Sequence, residues 1–266
     1  MAERPQHLFP AEPAPPGHQL ELPGLTPAPR RGLETGGAQA TISFLLRLRA
    51  RGIGDRAVLR ALETVPRDLF VPHRYLDLAL RDVALPIPCG QTMPEPYLVA
   101  RATEALELAA THRVLEVGTG SGYGTAILAQ MAGEVLSLER FQSLAFEAKA
   151  RLEGLAIRNA HVVWGDGLAV PAEIGLFDRI ILHGVVDTIP SCILAALAEG
   201  GRIVFARKAP SRSVVADADS GQTARADVEL ACVSHRPAKG LSTPFEDSVI
   251  GPCRLPRLLP GLSRAL

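Results

Sequence analysis

The sequence lacks any hydrophobic run approaching the roughly 18 apolar residues of a membrane-spanning helix. Its N-terminus also lacks the basic start and uninterrupted apolar stretch of a secretory signal. A net charge is missing too, because 28 Lys and Arg residues balance 28 Asp and Glu residues. Proteins that hold nucleic acid through its phosphates need a surplus of cations. We therefore expect a protein with no membrane, secretory or nucleic-acid role.

Cysteine is scarce and scattered along the chain. The four cysteines, Cys89, Cys192, Cys232 and Cys253, include no CxxC pair. This spacing is typical of neither a zinc site nor a disulfide scaffold, and it favours reduced thiols. We therefore expect a cytoplasmic protein without a metal site.

The composition indicates one globular domain with a tail at each end. Of the 266 residues, 47% are hydrophobic and 21% are charged, which is enough apolar material for a core. Residues 1–38 hold eight prolines and almost no periodic apolar pattern, which predicts a disordered tail. Residues 252–266, with three prolines, are predicted to form a loose tail. The domain between them, 39–251, divides into helices with a proline-rich loop at 39–110 and a core with a hairpin at 111–235.

Strands and helices are predicted to alternate through the core. Strand patterns begin at Arg113, Glu134, His161, Phe177 and Gly201. Helical patterns cover 123–131, 141–155 and 189–197, and earlier helices are predicted from Thr41, Asp55 and Pro96. Strands from Val214 and Asp227 are predicted to form a hairpin at the sheet edge. Short β-rich runs separated by helix-length segments predict an α/β fold, with a doubly wound, mostly parallel sheet.

A glycine-rich turn follows the first of these core strands directly. In VLEVGTGSGYGTAIL, the strand runs into Gly118, Gly120 and Gly122, and a helix follows. Glycine lets the chain turn sharply and lets its backbone approach a ligand without a Cβ between them. In doubly wound sheets this turn binds nucleotide-like ligands, although tight turns need glycine for their own sake.

Three acids near strand ends sharpen the prediction. Glu116 precedes the first glycine, where it would repel a pyrophosphate but attract the methionyl amino group of S-adenosylmethionine. Glu139 closes the second core strand, where an acid accepts hydrogen bonds from ribose hydroxyls. Asp166, after the third, can accept from an adenine amine. Together they predict a cationic nucleoside, the alternative being solvated loop acids or helix caps.

The chain from about Leu46 to His235 resembles the protein-L-isoaspartate O-methyltransferase family. The matching segments, in family order, are LRARGI (48–53), VPRDLFVP (65–72), LPI (85–87), GQT (90–92), LEVGTGSGY (115–123), GDG (165–167) and EGGRIV (199–204). The resemblance implies a Rossmann-like seven-stranded sheet with N-terminal helices and a C-terminal β-hairpin. It also implies S-adenosylmethionine as cofactor and isoaspartyl-containing proteins or peptides as partners, and we expect a monomer.

By this resemblance, the reaction moves a methyl group to the α-carboxylate of an isoaspartyl residue. The ester then collapses to a succinimide, which allows repair of damaged protein. Because the acceptor carboxylate is already ionised at pH 7, the reaction needs no general base. Alignment of the reacting atoms and exclusion of water can supply the catalysis.

The resemblance assigns residues to two parts of the site. The cofactor-binding residues are Glu116, Gly118, Gly120, Gly122, Glu139, Asp166 and Gly167. The catalytic acceptor loop contains Gln91 and Thr92, and Tyr123 and Trp164 are predicted to wall the site.

Two departures from the family pattern lie on the acceptor side. The loop reads GQTMPEP, so Pro94 stands where the family usually has a serine that helps to hold the substrate carboxylate. A lost hydrogen bond to a charged group costs on the order of 1.5–3 kcal/mol, or about one to two decades in rate. After FDRIIL, His183 and Val186 replace smaller or rigid residues, and His183 either lines the acceptor pocket or simply packs there. A methyltransferase with another acceptor and a non-catalytic S-adenosylmethionine-binding protein therefore stay as alternatives.

Overall fold

The computed structural model describes residues 34–209, 214–216, 223–225, 227–235 and 245–264. The helices are α1 Glu34–Ala50, α2 Arg56–Thr64, α3 Pro96–Leu106, α4 Tyr123–Ala129, α5 Gln142–Gly154 and α6 Ser191–Ala195. The strands are β1 Leu85–Ile87, β2 Gln91–Met93, β3 Arg113–Val117, β4 Glu134–Glu139, β5 Ala160–Trp164, β6 Phe177–Val185, β7 Leu197–Lys208, β8 Val214–Ala216, β9 Thr223–Arg225, β10 Val228–His235 and β11 Phe245–Pro252.

A seven-stranded sheet in the order β11-β10-β7-β6-β3-β4-β5 organises the fold. Strands β3 to β7 run parallel to one another, while β10 pairs antiparallel with both β7 and β11. Helices α4, α5 and α6 follow β3, β4 and β6 along the chain, and a short 3-10 turn at Ala172–Ile174 lies between β5 and β6. The predicted α/β fold with a mostly parallel sheet and a C-terminal hairpin is therefore confirmed.

Local sequence signals account for where the early helices begin. The side chain of Asp55 accepts hydrogen bonds from the backbone N–H groups of Ala57 and Val58, at 2.7 and 3.3 Å, and so caps α2. Pro96 starts α3, where its missing N–H costs nothing. Helix α1 begins at Glu34, earlier than the predicted start at Thr41, so the predicted tail overlaps it. The rest of that tail lies outside the described residues.

The core strands are buried along nearly their whole length because helices or loops cover both faces of the sheet. Successive apolar residues along the strands point to opposite faces of the sheet. One face packs against α3 and α4, and the other packs against α6. Such continuous apolar runs are typical of parallel strands. Strand β7 begins at Leu197, so the helix predicted over 189–197 is shortened to α6.

Two pairings differ from the prediction. Val214–Ala216 pairs with Thr223–Arg225 in a separate ladder, and the hairpin at the sheet edge consists of β10 and β11 instead. The proline-rich loop also contains a small hairpin, β1 with β2. Its turn places Cys89 and Gly90 at φ of 60° and 64°. The prolines of this loop are tolerated because so short a ladder leaves many backbone N–H positions without a strand partner.

The residues after β11 pack against the domain, in contrast to the predicted loose tail. The backbone of Val185 exchanges hydrogen bonds with Pro256 and Leu258, at 2.8 and 3.0 Å. Farther along, Ser263 donates its N–H to the carbonyl of Arg140 at 2.8 Å. Backbone pairing at both ends holds this C-terminal segment, residues 256–264, against the carboxyl edge of the sheet.

Candidate active site

The glycine-rich turn connects β3 to α4 at the carboxyl edge of the sheet. Gly118, Gly120 and Gly122 have φ values of 94°, 57° and 90°, in the left-handed region that strains other residues. The N–H of Gly118 donates to the carbonyl of Leu138 at 2.8 Å, which ties the turn to the end of β4. The sharp turn that the sequence predicts therefore arises because the backbone is left-handed at these three alternate residues.

Glu139 ends β4 with its carboxylate against this turn. One oxygen accepts from the Gly120 N–H at 2.8 Å and the other from the Phe141 N–H at 2.9 Å. The side chain is buried, and burial raises the pKa of Glu139, while these backbone hydrogen bonds oppose the rise. A buried carboxylate fixed in this way is suited to accept hydrogen bonds from the hydroxyls of a ribose.

Asp166 lies beyond β5, facing the C-terminal segment. Its oxygens accept from the Leu168 N–H at 2.9 Å and from the Gly261 N–H at 2.6 Å. The Arg140 guanidinium donates to the Gly261 carbonyl at 3.0 Å, which strengthens the same contact. Sequence reasoning missed this segment, because its proline-rich composition carries no signal of where it docks.

The acceptor loop is held from behind by a buried arginine. Arg67 donates to the carbonyls of Val83 and Pro94, both at 3.1 Å, and to that of Ala79 at 2.9 Å. Burial lowers the pKa of Arg67, a cost that these carbonyls offset. Gln91 donates its side-chain amide to the Cys89 carbonyl at 3.1 Å, so the loop is fixed locally as well.

Glu116, one of the predicted cofactor-binding residues, is enclosed by other side chains. It is fully buried and does not line the cavity described below. Its carboxylate accepts from the hydroxyl of Ser137 at 2.6 Å, from that of Thr125, and from Nε2 of His183 at 2.8 Å. Of these three partners, only His183 is among the residues that line the cavity.

One cavity of about 980 Å³ joins most of these groups. Its lining includes the predicted residues Gln91, Thr92, Gly118, Gly120, Glu139, Asp166 and Gly167, together with Pro94, Tyr123, His183 and Leu258. Trp164 is not among the lining residues, since its indole is buried and donates to the Arg140 carbonyl at 3.0 Å.

Two features of the cavity fit S-adenosylmethionine, namely the close backbone packing at its glycines and its carboxylates. A Cβ on Gly118 would lie 3.3 Å from the Cβ of His183, and one on Gly167 would lie 2.4 Å from Cγ1 of Val117. Glu139 and Asp166 supply acceptors for hydroxyl and amine groups. The same carboxylates would repel the phosphates of a dinucleotide.

A parallel sheet with this acidic, glycine-lined cavity at its carboxyl edge defines an S-adenosylmethionine-dependent methyltransferase of the seven-stranded class. Residues 40–227 match the family described as protein-L-isoaspartate(D-aspartate) O-methyltransferase. The chain belongs to this family.

Relatives agree with that assignment, and solved structures share the fold. The chain is 52% identical over 161 residues to a protein-L-isoaspartate O-methyltransferase from Rhodopseudomonas palustris, covering 60% of this chain and 75% of the relative. It is 50% identical over 179 residues to one from Xanthobacter autotrophicus, covering 66% and 81%. A solved protein-L-isoaspartate O-methyltransferase superimposes with a TM-score of 0.67 at 23% identity, covering 84% of this chain and 67% of that one.

A second solved structure has a similar fold. It is a Plasmodium falciparum protein of the same description, in complex with S-adenosyl-L-homocysteine, with a TM-score of 0.62 at 21% identity. The superposition covers 82% of this chain and 97% of that one. Among the residues that the structure describes here, no helix has both the length and the apolar character needed to cross a membrane.

Proposed function

We propose that this chain transfers the methyl group of S-adenosylmethionine to the α-carboxylate of isoaspartyl residues in damaged proteins. The observation that carries the proposal is a single cavity shared by the glycine-rich turn, Glu139 and the acceptor loop. Family membership over residues 40–227 supports the same reaction. The cavity therefore holds donor and acceptor groups side by side, as a direct transfer requires.

The chemistry asks the protein for alignment rather than for proton transfer. S-adenosylmethionine supplies a methyl carbon that is activated by its bond to a sulfonium. A carboxylate oxygen of the acceptor forms a bond to that carbon as the carbon–sulfur bond breaks, and the electron pair stays on sulfur. The protein gains rate by holding the three atoms in line and by excluding water.

The assigned residues divide into a donor side and an acceptor side. On the donor side, Glu139 accepts from the ribose, Asp166 accepts from the adenine, and the turn at 118–122 admits the cofactor backbone. On the acceptor side, Gln91 and Thr92 belong to the loop that covers the methyl group. None of the four cysteines forms a disulfide, which supports our proposal of a reducing, cytoplasmic location, and we propose a monomer.

The direct test measures labelled methyl transfer from S-adenosylmethionine to an isoaspartyl peptide, with its aspartyl twin as the matched substrate. We expect base-labile label on the isoaspartyl peptide alone. Equal labelling of both peptides, or none while S-adenosyl-L-homocysteine binding is intact, would contradict the proposal. In the latter case the acceptor side serves another substrate or none.

The raised pKa of Glu139 predicts two pH effects of opposite sign. Only the ionised carboxylate accepts fully from ribose hydroxyls, so affinity for S-adenosyl-L-homocysteine should fall as the pH drops through that pKa, by at most about tenfold per pH unit. A carboxyl group whose folded-state pKa lies above its unfolded value stabilises the fold below the unfolded value, and the stabilisation is lost as pH rises. The contribution of Glu139 to the free energy of unfolding should therefore decline with pH from its ordinary value of 4.5 upward.

Calorimetric titration and denaturant unfolding over this pH range check both effects. The variant Glu139→Gln keeps the shape of the side chain but does not titrate, so both slopes should flatten relative to the wild type. Unchanged slopes in the variant would assign them to other groups.

A further inference from the structure

His183 stands where the cofactor cavity meets a second, smaller pocket. This pocket lies between α3 and the sheet, and Pro94, Val99 and His183 line both spaces. Its other lining residues are Leu98, Ala102, Ile181, Leu182, Leu230 and Leu255. Among the described residues around this pocket, His183 has the one side chain that can donate a hydrogen bond.

The hydrogen bonds of His183 determine what it can offer a ligand. Its Nε2 lies 2.8 Å from a carboxylate oxygen of Glu116, and a carboxylate only accepts, so Nε2 is the donor. Within the described part of the chain, no hydrogen bond engages Nδ1. In the imidazolium form, Nδ1 is a second, charged donor, and the fully buried Glu116 carboxylate balances its charge.

The surrounding sequence holds this pair in place. Glu116 lies opposite Ser137 in the β3–β4 register, and the hydroxyls of Ser137 and Thr125 both donate to it. Gly124 leaves the necessary room, because a Cβ there would lie 2.9 Å from Glu116 and 3.2 Å from Nε2 of His183. Three donors on one buried carboxylate fix the position of the imidazole next to the acceptor loop.

We infer that His183 binds the acceptor carboxylate and so replaces the hydroxyl that is missing at Pro94. This inference rests on the proposed function, because it needs a carboxylate acceptor in the cavity. Pro94 has neither a side-chain donor nor a backbone N–H, whereas His183 lines the same two spaces and has a free donor position. In this role His183 only donates a hydrogen bond and transfers no proton, since the carboxylate loses its negative charge when it gains the methyl group.

The test compares the kinetics of variants with isoaspartyl peptide at saturating S-adenosylmethionine. We expect His183→Ala to lower kcat/KM for the peptide about 10- to 100-fold, mainly through KM, and to leave the Kd of S-adenosyl-L-homocysteine unchanged. Restoring the loop hydroxyl in the double variant His183→Ala/Pro94→Ser should recover about tenfold of that loss. The exposed His73 provides the matched control, and His73→Ala should leave both constants unchanged.

A second variant separates substrate binding from a structural role. His183→Gln can keep a hydrogen bond to Glu116 but has no cationic second donor, so it should show the same kcat/KM loss with an unchanged denaturation midpoint. If His183→Ala fails to fold, this variant decides the matter.

Three outcomes would overturn the inference. They are full activity in His183→Gln, loss of S-adenosyl-L-homocysteine binding in parallel with activity, and no recovery on adding Pro94→Ser. A wild type that binds S-adenosyl-L-homocysteine but does not methylate the isoaspartyl peptide would instead refute the proposed function, and the inference with it.

Discussion

Replacing Arg67 with alanine is expected to lower the free energy of unfolding by about 3–5 kcal/mol, the range for breaking a buried, hydrogen-bonded charge network. Arg67 is 2% exposed, and its guanidinium donates to carbonyls of residues 79, 81, 83 and 94. Removing it leaves buried carbonyls without donors and opens a cavity beside the ring of Tyr123. No nearby side chain replaces so many hydrogen bonds at once.

The same change should also impair catalysis, because the Pro94 carbonyl is one of the four that Arg67 holds. Arg67→Lys should recover little, since an ammonium cannot reach several carbonyls with the planar fork of a guanidinium. Denaturant unfolding with the m-value checked for constancy measures the stability loss. Peptide KM in whatever fraction stays folded measures the effect on the loop.

Arg51→Ala is the matched control for Arg67. Arg51 is about half exposed, pairs with Asp82 and stacks over the ring of Tyr97. Its removal should cost about 1 kcal/mol or less. Equal losses in the free energy of unfolding would mean that the buried contacts of Arg67 with carbonyls stabilise the fold no more than an exposed ion pair does.

Gly167→Ala is expected to reduce kcat/KM by about 100-fold or more. The added Cβ would lie 2.4 Å from Cγ1 and 3.1 Å from Cβ of Val117, the buried last residue of β3. Because the strand cannot retreat within a packed sheet, the loop carrying Asp166 must move, or the glycine-rich turn must. A displacement of about 1 Å in such groups can cost roughly 100-fold in rate, and overpacking adds about 1–3 kcal/mol of instability.

Affinity for S-adenosyl-L-homocysteine separates this effect from simple unfolding. We expect Gly167→Ala to bind the product at least tenfold more weakly at a temperature where circular dichroism shows it folded. Gly54→Ala is the control, because its Cβ would meet only Oε1 of Glu104 at 3.8 Å, an ordinary contact. Gly54→Ala should change stability by less than about 1 kcal/mol and leave binding intact. Wild-type binding by Gly167→Ala would show that the cavity tolerates the shift.

The core of the fold could be predicted because its signals are local. Apolar runs beginning at Arg113, Glu134 and Phe177 became strands at those residues, since a buried parallel strand needs nothing but continuous hydrophobic character. Asp55 and Pro96 marked helix starts for equally local reasons, a side-chain cap and a missing N–H. The pairing of the strands was harder to predict. Val214–Ala216 is only three residues long, so its sequence does not specify a partner, and it pairs with β9.

The sequence indicated which residues lie at the site, but not which other residues they contact. Glycine spacing and strand-end acids pointed to Glu139 and Asp166, which both line the cavity. Glu116 follows the same pattern along the chain, yet its side chain is buried among Thr125, Ser137 and His183. Alternation along a strand indicates which face a side chain takes, but not what packs against that face.

By itself, the sequence determined the parallel sheet, the reversals at Gly118, Gly120 and Gly122, and the family resemblance, because each depends on residues close together in the chain. Only the tertiary structure decided that Glu116 supports His183 and that Arg67 holds the acceptor loop. It also decided that Gly261 meets Asp166 across 95 positions. These contacts join segments far apart in the chain, and their energies exist only once the sheet has brought the segments together.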